Sequence, residues 1–228
     1  FYTCMDKFSD FIIKNKITNI NISDNFNNKK IYDYDIVSTK HLDTKYILDI
    51  KRYLSYYKNT LTYCIKNNFK TLENYLTKTK ISPFKKEEDK EYLYLDIKQV
   101  NSPIYNKTNV MWGNELPSRA KISLKKNDLI VSKLLGKIVF TYITEDTDNI
   151  VCSNGFCLLR PNNLKSALII FANLFTDIFK IQHNSLCTGS IMEGIDENLL
   201  KKIYINENID TNKYTNILKS LEIINNEL

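Results

Sequence analysis

Residues 92–98, 121–124, 129–133, 137–143, 150–153 and 156–159 are short stretches of strand character, separated by turn signals and flanked by helical patterns. No other feature of this chain constrains its fold as much. In 92–98 the alternation is strict: Leu93, Leu95 and Ile97 face one way, and Tyr92, Tyr94, Asp96 and Lys98 face the other. Successive side chains of a strand point to opposite faces, so this predicts a half-buried strand with a polar face. The breaks between strands fall at Asn127-Asp128, Gly136, residues 146–149 and Asn154-Gly155, the last a strong hairpin-type signal.

Helical spacing appears on both sides of this region. Phe1, Cys4, Met5, Phe8, Phe11 and Ile12 predict an opening amphipathic helix, followed by an Asn-rich linker over 15–30. Leu42, Tyr46, Ile50, Tyr53, Leu54, Tyr57 and Leu61 form the stripe of a second, core-facing helix. Short helical segments are expected at 71–76 and near Asp196, and a strand at 202–205. Leu164, Leu168, Phe171, Phe175 and Ile178 predict one helix capped by Asn162 or Asn163, with a loop over 183–194 behind it. At the C-terminus, Tyr214, Ile217, Leu221, Ile224 and Leu228 repeat at three and four residues, an a/d seam. Two readings of that seam stay open: a helix docked on its own domain, or a seam for a second copy or another partner. The expected class is α+β, with a curved, mainly antiparallel sheet, packed helices and a C-terminal amphipathic helix.

Several functions are disfavoured. The longest apolar stretch, 167–175, contains Asn173 and falls far short of the roughly 20 residues of a membrane span. Gly113, Gly136, Gly155, Gly189 and Gly194 are too scattered for a phosphate or dinucleotide cradle, and His41 and His183 belong to no metal-ligand spacing. Cys4, Cys64, Cys152, Cys157 and Cys187 read as small buried thiols of a reduced, cytoplasmic protein. A net charge of +6 is compatible with nucleic acid, but lysine, asparagine, isoleucine and tyrosine are all abundant, as in AT-rich coding sequence. Placement of charge therefore says more than its sign.

The order of motifs carries a resemblance. Leu42-Asp43-x-x-Tyr46, the strand beginning Tyr92-Leu-Tyr-Leu-Asp-Ile97, Arg119-Ala120, Asn127-Asp128-Leu-Ile-Val-Ser132, Asn154-Gly-Phe156 through Arg160-Pro161, and residues 199–205 resemble the specificity subunit of type I restriction-modification systems. The same module is similar to the recognition domain fused to the C-terminus of many adenine methyltransferases. Asn127 stands where the family usually has glycine, which Asn can imitate by adopting a left-handed backbone. The proline that often follows the last strand is missing after Tyr204-Ile205-Asn206.

The resemblance implies a non-catalytic DNA target-recognition domain over 41–206, preceded by a helix and linker over 1–40 and followed by the amphipathic helix over 207–228. Double-stranded DNA and a methyltransferase subunit or domain would be its partners, with a homodimer through the C-terminal helix as one arrangement. S-adenosylmethionine would belong to the methyltransferase, leaving this chain without a cofactor or metal. There is room for one recognition domain where a full subunit has two, and Phe1 in place of an initiating methionine favours a fragment of a longer polypeptide.

Candidate DNA contacts follow from residue chemistry. Arg119 stands out in a lysine-rich chain, since a guanidinium makes bidentate contacts to guanine or phosphate; a salt bridge at the sheet edge is the equal alternative. Lys133 and Lys137 flank the Gly136 turn, while Lys98, Gln99 and Asn101 lie where the 92–98 strand runs out. Lys85, Lys86 and Lys121 add charge, and Thr188, Ser190 and Ser185 sit in a small-residue loop suited to approach a backbone. Arg160 is expected to anchor the sheet to the following helix. Two other functions remain open to the sequence: an RNA- or protein-binding module using Tyr92 and Tyr94 as surface platforms, and, less favoured, a metal-dependent nuclease built on Glu88-Asp89-Lys90.

Overall fold

The computed structural model describes residues 55–78, 84–136, 138–189 and 193–227. Two compact units, 1–62 and 63–228, divide the chain, and of the first only the start of helix α1 (Ser55–Lys66) is described. The expected helix and linker of 1–40, and the part of the second helix before residue 55, lie outside the described residues.

In the second unit the strands are β1 (Lys70–Thr71), β2 (Glu91–Leu95), β3 (Val100–Asn101), β4 (Ile104–Tyr105), β5 (Val110–Trp112), β6 (Ala120–Ser123), β7 (Leu129–Ser132), β8 (Phe140–Tyr142), β9 (Ile150–Ser153), β10 (Phe156–Leu159) and β11 (Tyr204–Ile205). The helices are α2 (Leu164–Leu174), α3 (Asp177–Leu186), α4 (Glu197–Leu200) and α5 (Asn212–Glu227). The expected α+β class holds, but the single curved sheet is replaced by several small ones. A four-stranded sheet has the order β5-β2-β9-β6, a three-stranded sheet β10-β7-β8, and β1 with β11 and β3 with β4 form ribbons. Pairing is antiparallel except between β2 and β9.

The main core lies between the two larger sheets. Leu93, Leu95, Ile150 and Cys152 from one meet Ile130, Phe156 and Leu158 from the other. A second cluster of Tyr92, Tyr94, Leu116, Ala120 and Val151 covers the outer face of the four-stranded sheet. Strand β2 is thus buried on both faces, with Tyr92 at 2% and Tyr94 at 3% exposure, which corrects the expected polar face. Phe84 stands edge-on to the Tyr92 ring at 5.4 Å, and the Tyr92 hydroxyl accepts from the Glu87 amide. A phenol can be buried once its hydroxyl finds a partner, which alternation does not register. The strand also stops at Leu95, because Asp96 caps a 3-10 turn over Ile97–Gln99.

The Asn154-Gly155 turn needs a second correction. It joins β9 to β10, which belong to different sheets, so it is a corner and not a hairpin. Among the described residues positive φ is confined to Asn68, Asn127, Gly136 and Gly189, so the mirror-image backbone of a two-residue hairpin is absent here. Asn127 does adopt the left-handed backbone expected of it, at φ 72°.

The three-stranded sheet packs its other face on helices. Phe140 meets Phe175 at 4.9 Å and Phe171 at 6.2 Å, and Tyr214 of α5 reaches Phe175 at 5.4 Å. With Leu218 and Leu221 buried, α5 docks on its own domain; the side chains of Ile224 and Leu228 lie outside those described. The predicted helix of 164–178 is two helices. Asn163 caps α2, as expected, but Thr176 caps a new start, so helix continues to Leu186 where a loop was expected.

Buried amides from these helices hold β11. Gln182 donates to the Tyr204 carbonyl and accepts from its amide, both at 2.9 Å. Asn173 does the same for Asn206, at 2.9 Å and 2.8 Å. This explains the polar residue inside the apolar stretch of 167–175.

Candidate nucleic-acid interface

The strand directions gather several loops at one end of the two sheets. Strands β2 and β9 run parallel and finish there, β6 starts beside them, and the β9–β10 corner and the β7–β8 tip lie at the same end. Two backbone bonds fix the arrangement. The Asn154 amide donates to the Arg119 carbonyl and the Lys133 amide donates to the Gly155 carbonyl, each at 2.9 Å. Arg119 and Lys133 are therefore anchored to consecutive residues of one corner.

Arg119 is held sideways. Its Nε donates to the Tyr94 hydroxyl and one terminal nitrogen to Asp96 Oδ2, both at 2.9 Å. The sheet-edge salt bridge anticipated for it is present, yet its side chain remains 57% exposed against 15% for Asp96. Burial raises the Tyr94 phenol above its usual pKa, and the adjacent guanidinium opposes that shift. Asp96 also caps the next turn by accepting from the Lys98 amide at 2.8 Å. The Gln99 side-chain oxygen accepts from the Asp96 amide at 3.3 Å, so its carbonyl is engaged and its NH2 group is the part left to face a ligand.

The other expected contact residues fall into groups. Lys98 is exposed and shares Asp96 with Arg119, its amide donating to the same carboxylate, while Asn101 is exposed on the β3–β4 ribbon that carries a cis Ser102-Pro103 bond. Lys133 is half-buried, and its carbonyl accepts from the Ile195 amide at 2.8 Å. Thr188 is exposed and pairs with Gly194, closing the loop that is stitched to the β7–β8 tip through Leu134 and Leu135. Ser185 is not in that loop but fully buried in α3, a correction. Lys86 and Lys121 line a separate hollow of about 150 Å³ with Phe84, Leu116, Pro117 and Ser118, on the outer sheet face. A slip of register between Ala120 and Ile122 leaves Lys121 exposed there, as bulges do when they re-aim a side chain. Lys85 is exposed nearby in sequence, while Lys137 and Ser190 lie outside the described residues.

At the opposite end the cations are matched by carboxylates. Lys90 meets Asp148 at 2.9 Å, Lys107 meets Glu145 at 2.8 Å and Arg160 meets Asp128 at 2.7 Å. Arg160 thus anchors the turn between β6 and β7, not the following helix. Lys90 of the nuclease-like tripeptide is occupied by Asp148 and Glu87. Among the described residues, Lys85, Lys86, Lys98, Lys121 and Lys133 enter no ion pair.

The arrangement offers donors and positive charge more than reactive groups. Burial pushes the Cys157 thiol up to about 12, a poor nucleophile. His183 is buried with Nε2 3.0 Å from the Ser132 carbonyl, and burial lowers its pKa. The burial of Tyr92 and Tyr94 removes the surface platforms on which the RNA- or protein-binding alternative rested. Sequence reasoning missed Asp96 and Tyr94 as partners of Arg119. The Asp96-x-x-Gln99 capping pattern was the available signal for Asp96.

No protein-family model and no curated protein matches this chain. Solved structures do. The HsdS subunit from Thermoanaerobacter tengcongensis is similar at a TM-score of 0.50 and 15% identity, over 68% of this chain and 43% of that one. A chain from a structure addressing complex assembly and conformational transition of the type I R-M system is similar at 0.50 and 17%, over 70% of this chain and 42% of that one. The chain has the fold of type I restriction-modification specificity subunits, as its motifs implied, and spans about two fifths of the length of these two.

Proposed function

We propose that this chain is a sequence-specific duplex DNA recognition domain, non-catalytic itself, that directs an adenine-N6 methyltransferase of a type I restriction-modification system to its site. The observation that carries this reading is the anchoring of Arg119 and Lys133 to one corner, beside exposed Lys98, at the end of a specificity-subunit fold. Recognition is assigned to 41–206, with S-adenosylmethionine held by the methyltransferase partner and the protein acting in the cytoplasm. Among the described residues no helix is long and apolar enough to cross a membrane.

In this reading the lysines engage phosphates and fix register, while a few side chains reach base edges. Each phosphate neutralised by a lysine contributes about 0.9 to the slope of log K against log salt. Titrating duplex DNA at several salt concentrations tests the proposal. Lys98→Gln and Lys133→Gln are each expected to weaken binding to all sequences and to reduce the slope by about one. A wild-type chain that binds no duplex, or variants with an unchanged slope, would count against it.

A further inference from the structure

We infer that Arg119 reads a guanine, with Asp96 and Tyr94 as positioning residues that preset its guanidinium; the inference rests on the DNA-recognition reading above. A guanidinium has two donor edges. The side edge, formed by Nε and the terminal nitrogen on the same side, is filled by the Tyr94 hydroxyl and Asp96 Oδ2. The end edge, two parallel N–H groups on the terminal nitrogens, has no partner among the described residues, and the side chain is 57% exposed. That edge matches the O6 and N7 acceptors that guanine alone presents in the major groove.

The partners of Arg119 favour a base over a phosphate. The Asp96 carboxylate, 2.9 Å away, offsets the arginine charge and repels an incoming phosphate. A neutral guanine edge feels little of that repulsion and needs directed donors, which a clamped guanidinium supplies. The clamp itself is firmly held. Tyr94 is buried in the sheet at 3% exposure, and Asp96 is fixed by its cap to Lys98 and by Gln99. The contact is consequently oriented before DNA arrives, which reduces the ordering cost of binding.

The test is a selection by the full 228-residue chain from duplexes with a randomised central segment, comparing wild type with Arg119→Lys, Tyr94→Phe and Asp96→Asn. The wild-type motif is expected to contain a G·C pair whose preference falls roughly tenfold or more in Arg119→Lys, other positions holding. Tyr94→Phe and Asp96→Asn are expected to relax the same position by a smaller factor. Tyr94→Phe keeps the buried ring, so its melting temperature serves as a check that the domain is intact. A brace with no DNA role would leave every position unchanged in all three variants and overturn the inference. So would a uniform loss with a shallower salt slope, the mark of a phosphate contact, or a motif without a G·C pair. If the wild type enriches no sequence, the DNA-recognition reading fails first and the guanine contact with it.

Discussion

Arg160 and Arg119 use the same side edge against an aspartate at opposite ends of the sheets, with different results. Arg160 gives Nε to one oxygen of Asp128 at 2.8 Å and a terminal nitrogen to the other at 2.7 Å, and the Lys125 amide adds a third bond to that carboxylate. Its side chain is 23% exposed and that of Asp128 2%, so the pair is a closed structural joint. Arg119 shares its edge between a hydroxyl and a carboxylate and remains largely open to solvent. The residue pair is the same in kind, and burial together with what faces the end edge separates anchor from contact.

Arg160→Leu should break the comparison most severely. It leaves the Asp128 carboxylate buried without its cation, and stability to urea is expected to fall by roughly 3–5 kcal/mol. A loss below about 1 kcal/mol would mean that the joint is no stronger than a surface pair. Next comes the turn that presents Asp128. Asn127→Ala must hold a left-handed backbone without its amide, which accepts from the Tyr142 hydroxyl, and is expected to cost about 1–3 kcal/mol. Asn127→Gly should recover the backbone part of that loss in the same unfolding measurement.

Arg119→Ala should change stability by less than about 1 kcal/mol, since the arginine side chain stays largely open to solvent and water can replace it at the Asp96 carboxylate. An unfolding midpoint that drops as far as that of Arg160→Leu would erase the distinction between the ends. The last test is a gradient with pH. Burial lowers the His183 pKa below its ordinary 6.5, so the unfolded chain takes up the proton first. The corresponding stability is full above about pH 6.5 and is lost as pH falls from there through the lower value of the folded state. Melting temperatures followed from about pH 7 down to about pH 5 should fall less steeply for His183→Gln than for wild type.

Much of the fold could be read from local pattern, and the failures share a cause. Strands β9 and β10 lie at the expected residues, because a run of buried positions between turn residues is a local signal. That they enter different sheets is decided by partners far along the chain, Leu93 to Leu95 for one and Leu129 to Ser132 for the other. Strands β1, β3, β4 and β5 have only two or three residues, too few for alternation to register. At the candidate interface Arg119 stood out by its scarcity and Lys98 by its place after a strand. Their relation to Tyr94 was hidden, since a tyrosine in an alternating strand looks the same whether its hydroxyl meets water or a guanidinium. The helix break at Thr176 was legible in principle, as Thr176-Asp177 is an ordinary cap and first-turn pair.

The amide clamps on β11 bear on how the molecule avoids unwanted company. Alternate residues of this strand bond to opposite sides, Ile205 pairing with β1 while Tyr204 and Asn206 face Gln182 and Asn173. Each side-chain amide presents one donor and one acceptor as a neighbouring peptide would, so the helices complete the ribbon without supplying a strand. An open row of N–H and C=O groups is a template for aggregation. Here that row is sealed by two side chains.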